Sequence, residues 1–283
     1  MVLSTEEIQR AVRAALAEDI GPGDVTTLAT VPESATTCAV MVAREPLVLA
    51  GLAFAVTAFR ELDRDLIIAP HAADGDACER GQILLRVTGS ARSILTAERV
   101  ALNFVQRLSG IATLTAQFAD QLQGTWAKIL DTRKTTPGWR RFEKYAVKCG
   151  GGQNHRVGLY DMVLIKDNHL AALRHQQPNA IAAAVQRART AYPELMVEVE
   201  ADTLEQMRQA TEARADIILL DNMSLDELRA AVALVGGRAK TEASGGVNLQ
   251  TVRAIAETGV DFISVGAITH SARAVDIALD FED

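Results

Sequence analysis

The sequence predicts an α/β protein in which a small α+β layer precedes an irregular or open α/β barrel. Three observations favour this fold class. Between residues 38 and 89, short strand-like apolar segments surround a single helical segment. After Gly124, short apolar segments alternate with helical segments, which is typical of parallel βα units. A charged or glycine-rich group follows nearly every one of these later strands.

The N-terminal segment begins with a capping signature. Ser4 precedes Glu7 by three residues and apolar residues then recur at helical spacing, so we predict a helix over residues 5–18. This helix should end at Gly21-Pro22-Gly23, where the backbone is punctuated by glycine and proline. The following Asp24-Val25-Thr26-Thr27 permits a ligand loop, but we interpret it as a local capping turn.

The next segments complete the first part of the chain. We predict strands over residues 38–43, 66–69 and 82–88, a helix over 51–62 and a long helix over 91–122. Strands this short, with one helix between them, indicate a layered domain rather than barrel units.

The second part has the alternation expected of a barrel. Candidate strands end near residues 130, 165, 199, 220, 243 and 265, and helices fit residues 179–191, 204–211, 225–234 and 249–258. Six strands are fewer than the eight of a complete barrel, so we expect an open one. We place the first domain at residues 1–112 and the barrel at residues 113–271. The tail, about residues 272–283, is expected to pack on the first domain.

Composition and charge narrow the class of protein. Of 283 residues, 48% are hydrophobic and 23% are charged, as in an ordinary globular protein. The formal net charge of -7 argues against a nucleic-acid binder. The three cysteines form no C-x-x-C pair, so neither a disulfide framework nor a zinc site is supported. The sequence has no signal peptide and no apolar run of the roughly 20 residues that span a bilayer, so we expect a cytoplasmic protein without a membrane partner.

A cation-rich stretch between two predicted barrel strands gives the strongest functional signal. Its cations are Arg133, Lys134, Arg156 and Lys166. Fixed cations beside apolar walls concentrate anions, so we interpret the stretch as an anion site, the alternative being a solvated basic loop. The triple glycine Gly150-Gly151-Gly152 either turns the following His155-Arg156 pair back into the site or forms a mobile loop.

The ends of the barrel strands supply acids as well. Val197-Glu198-Val199-Glu200 alternates, so Glu198 and Glu200 should face the barrel interior, with Glu200 nearer the mouth. Glu200 and Asp221 offer hard carboxylate oxygens suited to Mg²⁺ that also binds a substrate phosphate. The alternative role for each is capping a helix N-terminus.

Glycines follow the last two predicted strands. Ser244-Gly245-Gly246 and Gly266-Ala267 each precede a helix, where backbone N–H groups and the helix dipole favour a phosphate. A plain tight turn is the alternative at either place.

Other residues give weaker signals. His169 and His270 are isolated in the sequence, and such histidines are usually structural or exposed. Arg99 adjoins Glu98 on a predicted helix and by default forms a solvated charge pair. No nucleophile elbow, Walker loop or Ser/His/Asp order is present, so charge stabilisation and positioning are favoured over a covalent intermediate.

Several motifs, spread in order along nearly the whole chain, resemble a known family. They lie at residues 18–21, 23–26, 98–103, 109–113, 131–137, 148–156, 165–170, 197–200, 220–222 and 242–247. With these motifs the chain resembles the quinolinate phosphoribosyltransferases, also called carboxylating nicotinate-nucleotide pyrophosphorylases. Many matches in one order are more specific than any single glycine motif.

The resemblance implies an α/β protein with an N-terminal α/β sandwich domain and an incomplete, TIM-like α/β barrel. It implies a Mg²⁺-dependent reaction in which quinolinate and phosphoribosyl pyrophosphate (PRPP) give nicotinate mononucleotide, pyrophosphate and carbon dioxide in de novo NAD biosynthesis. It also implies a homo-oligomer, at least a dimer, in which Arg99 completes the site of a neighbouring subunit.

The same resemblance implies roles for the candidate residues. It implies that quinolinate is bound by Arg99, Arg133, His155 and Arg156, and that a substrate carboxylate or the pyrophosphate is bound by Lys134 and Lys166. It implies that Glu200 and Asp221 lie near Mg²⁺ and the ribose. The residues expected on the phosphate side are Ser244, Gly245, Gly246, Gly266 and His270. The expected catalytic residues are Lys134, Lys166, Glu200 and Asp221.

The sequence leaves two other functions open. A related barrel phosphoribosyltransferase that prefers nicotinate, or the molybdenum-transport-associated homologue, would share the fold, although the full set of cations favours a dicarboxylate. A catalytically silent sensor of phosphate ligands would also share it. Such a sensor need not keep charges such as Lys134 and Glu200 positioned for a transition state.

Overall fold

A computed structural model describes residues 1–282 of the protein. The chain separates into two compact units, which are described in turn. The first contains Met1–Ala116, Thr136–Gly151 and the residues from Ser271 onward, and the second contains Gln117–Thr135 and Gly152–His270.

Helices and strands are numbered in chain order. The helices are α1 (Thr5–Ile20), α2 (Val25–Thr30), α3 (Leu52–Leu62), α4 (Ala91–Gln121), α5 (Arg140–Cys149), α6 (Asp167–Ala172), α7 (Ala180–Ala191), α8 (Leu204–Glu212), α9 (Leu225–Val235), α10 (Val252–Ala256) and α11 (Ala267–His270). The strands are β1 (Thr36–Ala43), β2 (Leu47–Val48), β3 (Ile67–Pro70), β4 (Ala77–Cys78), β5 (Ile83–Ser90), β6 (Lys128–Leu130), β7 (Val163–Ile165), β8 (Val197–Ala201), β9 (Ile217–Asp221), β10 (Lys240–Ser244), β11 (Phe262–Ser264) and β12 (Ile277–Glu282).

The first unit is built on a four-stranded sheet in the order β12-β1-β5-β3, and β2 pairs with β4 beside it. All pairs are antiparallel, and the end of the chain supplies β12, in which Leu279 lies opposite Met41 of β1. Fully buried Phe59, Leu84 and Ile94 come from α3, β5 and α4, so the core lies between helices and sheet. This is the predicted layered α/β arrangement.

Local sequence signals set the helix starts of the first unit. Ser4 Oγ accepts the Glu7 N–H and the Glu7 carboxylate accepts the Ser4 N–H, so the predicted capping box is confirmed. Asp24 Oδ1 accepts the Thr27 N–H at 3.0 Å and caps α2. The segment after Gly23 is therefore a capping turn, as interpreted from the sequence.

Helix α5 is not predicted by the sequence, because four of its first five residues are charged and hide the apolar periodicity. Its Glu143 is fully buried and accepts hydrogen bonds from Arg107 at 2.9 Å and from the Thr136 hydroxyl at 2.7 Å. Gly150 ends the helix, where a Cβ would lie 2.2 Å from the carbonyl oxygen of Ala112. Gly150, the first residue of the triple glycine, is therefore required to be glycine by close packing and not by loop mobility.

The second unit is built on a six-stranded sheet in the order β6-β11-β10-β9-β8-β7. Every neighbouring pair is parallel, as the alternation of strands and helices predicts. Gln153 forms a parallel bridge to Leu130 on the outer side of β6. Within residues 1–282 the edge strands β6 and β7 do not pair with each other, so the barrel is open.

The helical prediction is wrong at residues 249–251 and 257–258, because α10 is only Val252–Ala256. Asn248 Oδ1 accepts the N–H groups of Gln250 and Thr251 at 3.0 and 3.1 Å, and this side-chain turn competes with helix formation. The short helices α6 and α11 are also absent from the sequence prediction. Within residues 1–282 no helix has both the length and the apolar character needed to cross a membrane.

Candidate active site

The carboxyl ends of the six parallel strands lie along one edge of the sheet, here called the mouth of the barrel. Lys166 follows β7 and Glu200 lies in the neighbouring β8; Lys166 Nζ is 2.5 Å from Glu200 Oε2. Glu198 is fully buried whereas the Glu200 side chain keeps 12% of its surface exposed, as the strand alternation predicts. His169 Nδ1 accepts the Lys166 N–H at 2.9 Å, which gives this histidine a structural role.

The ends of the neighbouring strands β9 and β10 are linked just after Asp221 and Ser244, and a tight glycine turn follows Ser244. Asn222 Nδ2 donates to Asp221 Oδ2 at 2.7 Å, and the Asn222 N–H donates to the Ser244 carbonyl at 2.9 Å. Gly245 has φ 96°, and a Cβ there would lie 2.1 Å from Asn222 Oδ1. Gly246 has φ 59° and is exposed. Conformation therefore favours glycine at both positions, and the available space also requires it at Gly245.

Lys134, Gly266 and His270 come together beside β6 and β11. A Cβ at Gly266 would lie 3.1 Å from Lys134 Cδ and 3.2 Å from His270 Nε2. Thr269 Oγ1 donates to the Lys134 carbonyl at 2.7 Å and so fixes the loop that carries the lysine. The Lys134 side chain is exposed and has no ion-pair partner within the described chain. This arrangement suits an anionic group.

Arg133 and Arg156 bring two guanidinium groups into one region. Burial lowers the pKa of Arg156, and the positive charge of Arg133 lowers it further, whereas Glu198 and Asp161 act in the opposite direction. Arg156 is half-buried, donates only to the Met162 carbonyl at 3.4 Å, and has no ion-pair partner among residues 1–282. A half-buried cation beside a second cation favours binding of an anion.

The segment that carries Arg156 is held by a buried carboxylate. Asp131 is fully buried directly after β6. Its Oδ2 accepts from Asn154 Nδ2 at 2.7 Å, and its Oδ1 accepts the His155 N–H at 2.9 Å. The backbone at residues 153–155 is therefore fixed beside β6 before Arg156 begins.

Below the mouth lies a buried cluster of His155, Glu198 and Glu242. His155 Nε2 is 3.0 Å from Glu198 Oε2 and 3.6 Å from Glu242 Oε2, and both glutamates are fully buried. The pKa of Glu242 is raised to about 8, first by burial and next by the charge of Glu198, although His155 opposes the rise. The three ligand atoms also lie within 4.8 Å of one another, a spacing that a metal ion can bridge.

Arg99 is the remaining predicted site residue. It lies exposed on α4 in the first unit, and it has no ion-pair partner within residues 1–282. Burial raises the pKa of the adjacent Glu98 carboxyl, and the charge of Arg99 opposes that rise. The charge of Arg99 is therefore available to an anion.

Sequence reasoning missed Glu242 and Asn222. Glu242 precedes Ser244 by two residues in β10, so if Ser244 faces the mouth, Glu242 faces the same interior. The alternation that places Glu198 and Glu200 in the interior therefore applies to Glu242 as well. Asn222 gives no comparable signal, because its role depends on the φ of 54° that it adopts in the structure.

Comparison with known proteins identifies the family. The sequence profile of the quinolinate phosphoribosyl transferase C-terminal domain matches residues 111–280, and that of the N-terminal domain matches residues 24–109. The chain belongs to the quinolinate phosphoribosyltransferase family. All the mouth residues described above, and the His155 cluster, fall within the C-terminal match of that family.

Individual members of the family agree over nearly the full chain. A nicotinate-nucleotide pyrophosphorylase (carboxylating) of Mycobacterium leprae is 45% identical over 282 residues, covering 95% of this chain and 95% of that protein. A chloroplastic enzyme of the same name from Arabidopsis thaliana is 43% identical over 294 residues, covering 98% of this chain and 84% of that protein. The solved nicotinate-nucleotide pyrophosphorylase of Francisella tularensis superposes with a TM-score of 0.93 at 41% identity, covering 99% of this chain and 98% of that chain.

Proposed function

We infer that the barrel mouth of this chain carries out the reaction of its family. The protein is a decarboxylating pentosyltransferase that moves the phosphoribosyl group of PRPP to quinolinate. The products are nicotinate mononucleotide, pyrophosphate and carbon dioxide, in the biosynthesis of NAD. The observation that carries this inference in the structure is the half-buried Arg156 guanidinium, which lies near Arg133 and has no ion-pair partner within the described chain.

The quinolinate side of the site is assigned to these two arginines and to Lys166. Each planar guanidinium can bind a carboxylate through two parallel hydrogen bonds, and quinolinate carries two carboxylates. Loss of one carboxylate leaves negative charge beside the ring nitrogen. Fixed cations in a half-buried pocket stabilise that charge as it develops, because they need no reorganisation during the reaction.

The PRPP side is assigned to the glycine turns and to Lys134. The positive φ of Gly245 and Gly246 supports a close approach of backbone N–H groups to the 5'-phosphate, and Gly266 with His270 supports a second contact. Lys134 lies against Gly266, so it fits a phosphate or pyrophosphate oxygen better than a distant carboxylate. Ser244 adds a hydroxyl at the same turn.

Two carboxylates fit a magnesium ion at this side. Glu200 and Asp221 end neighbouring strands and offer only hard oxygen donors, which Mg²⁺ prefers in combination with water and substrate phosphates. When bound there, the ion would neutralise charge on the departing pyrophosphate. Lys166 holds Glu200 in place at 2.5 Å, and Asn222 holds Asp221 at 2.7 Å. The ribosyl carbon gains positive charge as pyrophosphate leaves, and these two carboxylates stabilise it.

Assembly and location complete the proposal. The exposed charge of Arg99, which has no ion-pair partner within residues 1–282, supports a homodimer or larger oligomer in which this arginine reaches quinolinate in a neighbouring subunit. Three free cysteines support a reducing compartment, and we propose the cytoplasm. The chloroplastic name of the Arabidopsis relative means that membership of the family does not fix the compartment.

The assay that tests the function supplies purified protein with Mg²⁺, PRPP and either quinolinate or nicotinate. We expect mononucleotide and carbon dioxide in equal amounts from quinolinate. Product from nicotinate but not from quinolinate would overturn the assignment in favour of the nicotinate-preferring relative. Tight PRPP binding without release of pyrophosphate would instead support a sensor.

A further inference from the structure

Two fully buried glutamates in the barrel interior need an explanation. Glu198 of β8 and Glu242 of β10 are both 0% exposed, and within residues 1–282 the Glu198 carboxylate oxygens have no hydrogen-bond partner. The Ser264 side chain lies beside Glu242 and opposes the rise in its pKa, but the contact lacks the geometry of a hydrogen bond. Burial of such groups opposes folding unless each is paired. An apolar residue at either position would fill the core at lower cost, so stability does not account for the acids.

The imidazole of His155 faces both acids. Its Nε2 lies 3.0 Å from Glu198 Oε2, although the contact lacks the alignment of a hydrogen bond, and 3.6 Å from Glu242 Oε2. Its Nδ1 accepts the Arg156 N–H at 2.8 Å. Because Nδ1 is an acceptor, the ring carries its proton on Nε2, on the side of the two acids.

The His155 ring therefore connects the buried acids to the peptide of Arg156. The same short segment is fixed from the other side by Asp131, which accepts the His155 N–H at 2.9 Å. Two anchors on one residue leave little freedom in the direction from which the Arg156 side chain departs. The Arg156 guanidinium itself has no ion-pair partner within residues 1–282 and is held by only one long hydrogen bond, to the Met162 carbonyl at 3.4 Å.

Glu198 also acts directly on the charge of the pocket. Burial lowers the pKa of Arg156, the positive charge of Arg133 lowers it further, and the charge of Glu198 opposes both effects. A buried negative charge beneath two cations makes their close approach less unfavourable before any substrate is bound. The pocket is then preorganised for a dianion.

We propose that Glu198, supported by Glu242, is a positioning residue for the dicarboxylate pocket, which it holds in place through the ring of His155 and the peptide of Arg156. This inference rests on the proposed function, since it assigns the two acids to the quinolinate half of that site. Neither acid touches the substrate. Their effect is on the orientation of the cations that do.

The test compares Glu198→Gln and Glu242→Gln with Glu212→Gln, which changes an exposed glutamate at the end of α8 and serves as the matched control. Gln keeps the shape of the side chain and removes its charge. We expect Glu198→Gln to raise the KM for quinolinate by about tenfold or more, with the KM for PRPP changed by less than about twofold. Glu242 lies farther from the ring, so Glu242→Gln should raise the KM for quinolinate by about threefold.

Several outcomes overturn the inference. An unchanged KM for quinolinate in Glu198→Gln, or an equal rise in both KM values, leaves no selective positioning role. If Glu198→Gln fails to fold, the same comparison is made with Glu242→Gln alone, together with Glu198→Asp, which keeps the charge and should recover part of the quinolinate affinity. A stoichiometric transition metal in the purified protein would also overturn it, because the cluster would then be a metal site.

Failure of this inference is distinguishable from failure of the proposed function. If the unmodified protein does not convert quinolinate, the function itself is wrong. If it converts quinolinate and Glu198→Gln does so with the same KM, the function stands and only the positioning role is lost.

Discussion

The two ends of the barrel strands carry similar charged residues but arrange them differently. At the amino ends, here called the base of the barrel, each acid is paired twice. Asp216 accepts the Val197 N–H at 2.7 Å and binds Arg189 at 2.9 Å. Asp261 accepts the Thr241 N–H at 2.9 Å and binds Lys240 at 2.6 Å. Both of these acids are thus satisfied within the protein.

At the mouth, two of the cations lack such pairing. Lys134 and Arg156 have no ion-pair partners within residues 1–282, although Lys166 is paired with Glu200. At the base, burial alone would raise the pKa of Asp261. The hydrogen bonds from Lys240 and from the Thr241 N–H outweigh this effect, so the pKa of Asp261 is lowered. Paired charges stabilise the strand ends, whereas cations without an ion-pair partner are able to bind an anionic ligand. The difference separates a structural surface from a binding surface on one sheet.

The largest expected effect comes from changing the shape of a mouth cation while keeping its charge. Arg156→Lys removes the planar fork that binds a carboxylate through two hydrogen bonds. We expect kcat/KM for quinolinate to fall by about 10-fold to 100-fold, as the loss of a charge-assisted hydrogen bond implies. Steady-state kinetics measure this. Arg238→Lys at the base is the matched control, and an equal loss there would remove the distinction between the two ends.

The second effect concerns glycine. Gly245→Ala places a Cβ 2.1 Å from Asn222 Oδ1, so the turn must move and the KM for PRPP should rise by about tenfold. Gly237 at the base has φ 75°, and a Cβ there would meet nothing within 4 Å, so Gly237→Ala carries a similar backbone strain without the clash. The KM of the Gly237→Ala variant for PRPP should not change. Equal KM values in both variants would contradict the phosphate assignment.

The third effect is on the pH dependence of stability. The pKa of Glu242 is raised to about 8, so between the ordinary carboxyl pKa and this value the unfolded chain loses a proton that the folded chain keeps. Stability of the unmodified protein therefore falls as pH rises through this window, at most by about 1.4 kcal/mol per pH unit. Glu198, His155 and Asp131 are the titratable groups that act on Glu242.

Glu242→Gln removes this ionisation. Urea unfolding at several pH values should show a smaller decline in the free energy of unfolding for the variant than for the unmodified protein. Parallel curves for the two proteins would mean that Glu242 titrates normally. A gain in stability at high pH together with a weaker affinity for quinolinate would indicate that the buried acid is kept for function.

The smallest effect is expected at the base. Lys240→Met breaks an ion pair whose lysine is 62% exposed, and such pairs contribute less than about 1 kcal/mol. Thermal unfolding should change little and both KM values should stay the same. A large kinetic effect would show that the base is coupled to the reaction.

The sequence predicts which strand ends carry functional residues better than it predicts their contacts. Alternation of strands and helices indicates the six parallel strands, and their common direction places Lys166, Glu200 and Asp221 along one edge. The contact of His155 with Glu198 and Glu242 joins three strands or loops that are far apart in sequence. Only the assembled sheet brings them together, and a single acid within a strand gives no sign of its partner.

The pairing at the mouth also depends on details that a sequence does not encode locally. Asn222 is in the left-handed region, where few residues other than glycine occur, and its side chain holds Asp221. Helix α5 is not recognised in the sequence because charged residues dominate its start. Its buried Glu143 nevertheless accepts hydrogen bonds from Thr136, just after the cation-rich loop. In both cases the chemical role follows from the three-dimensional contacts of ordinary polar residues.

The most direct test of the mouth as a dicarboxylate site is a calorimetric titration of the protein with quinolinate and, separately, with nicotinate, which lacks one carboxylate. Two guanidinium groups in one half-buried pocket predict that quinolinate binds at least about tenfold more tightly than nicotinate, and that the difference shrinks as salt is added. Equal affinity for the two ligands, or tighter binding of nicotinate, would contradict the account of the mouth as a dicarboxylate site.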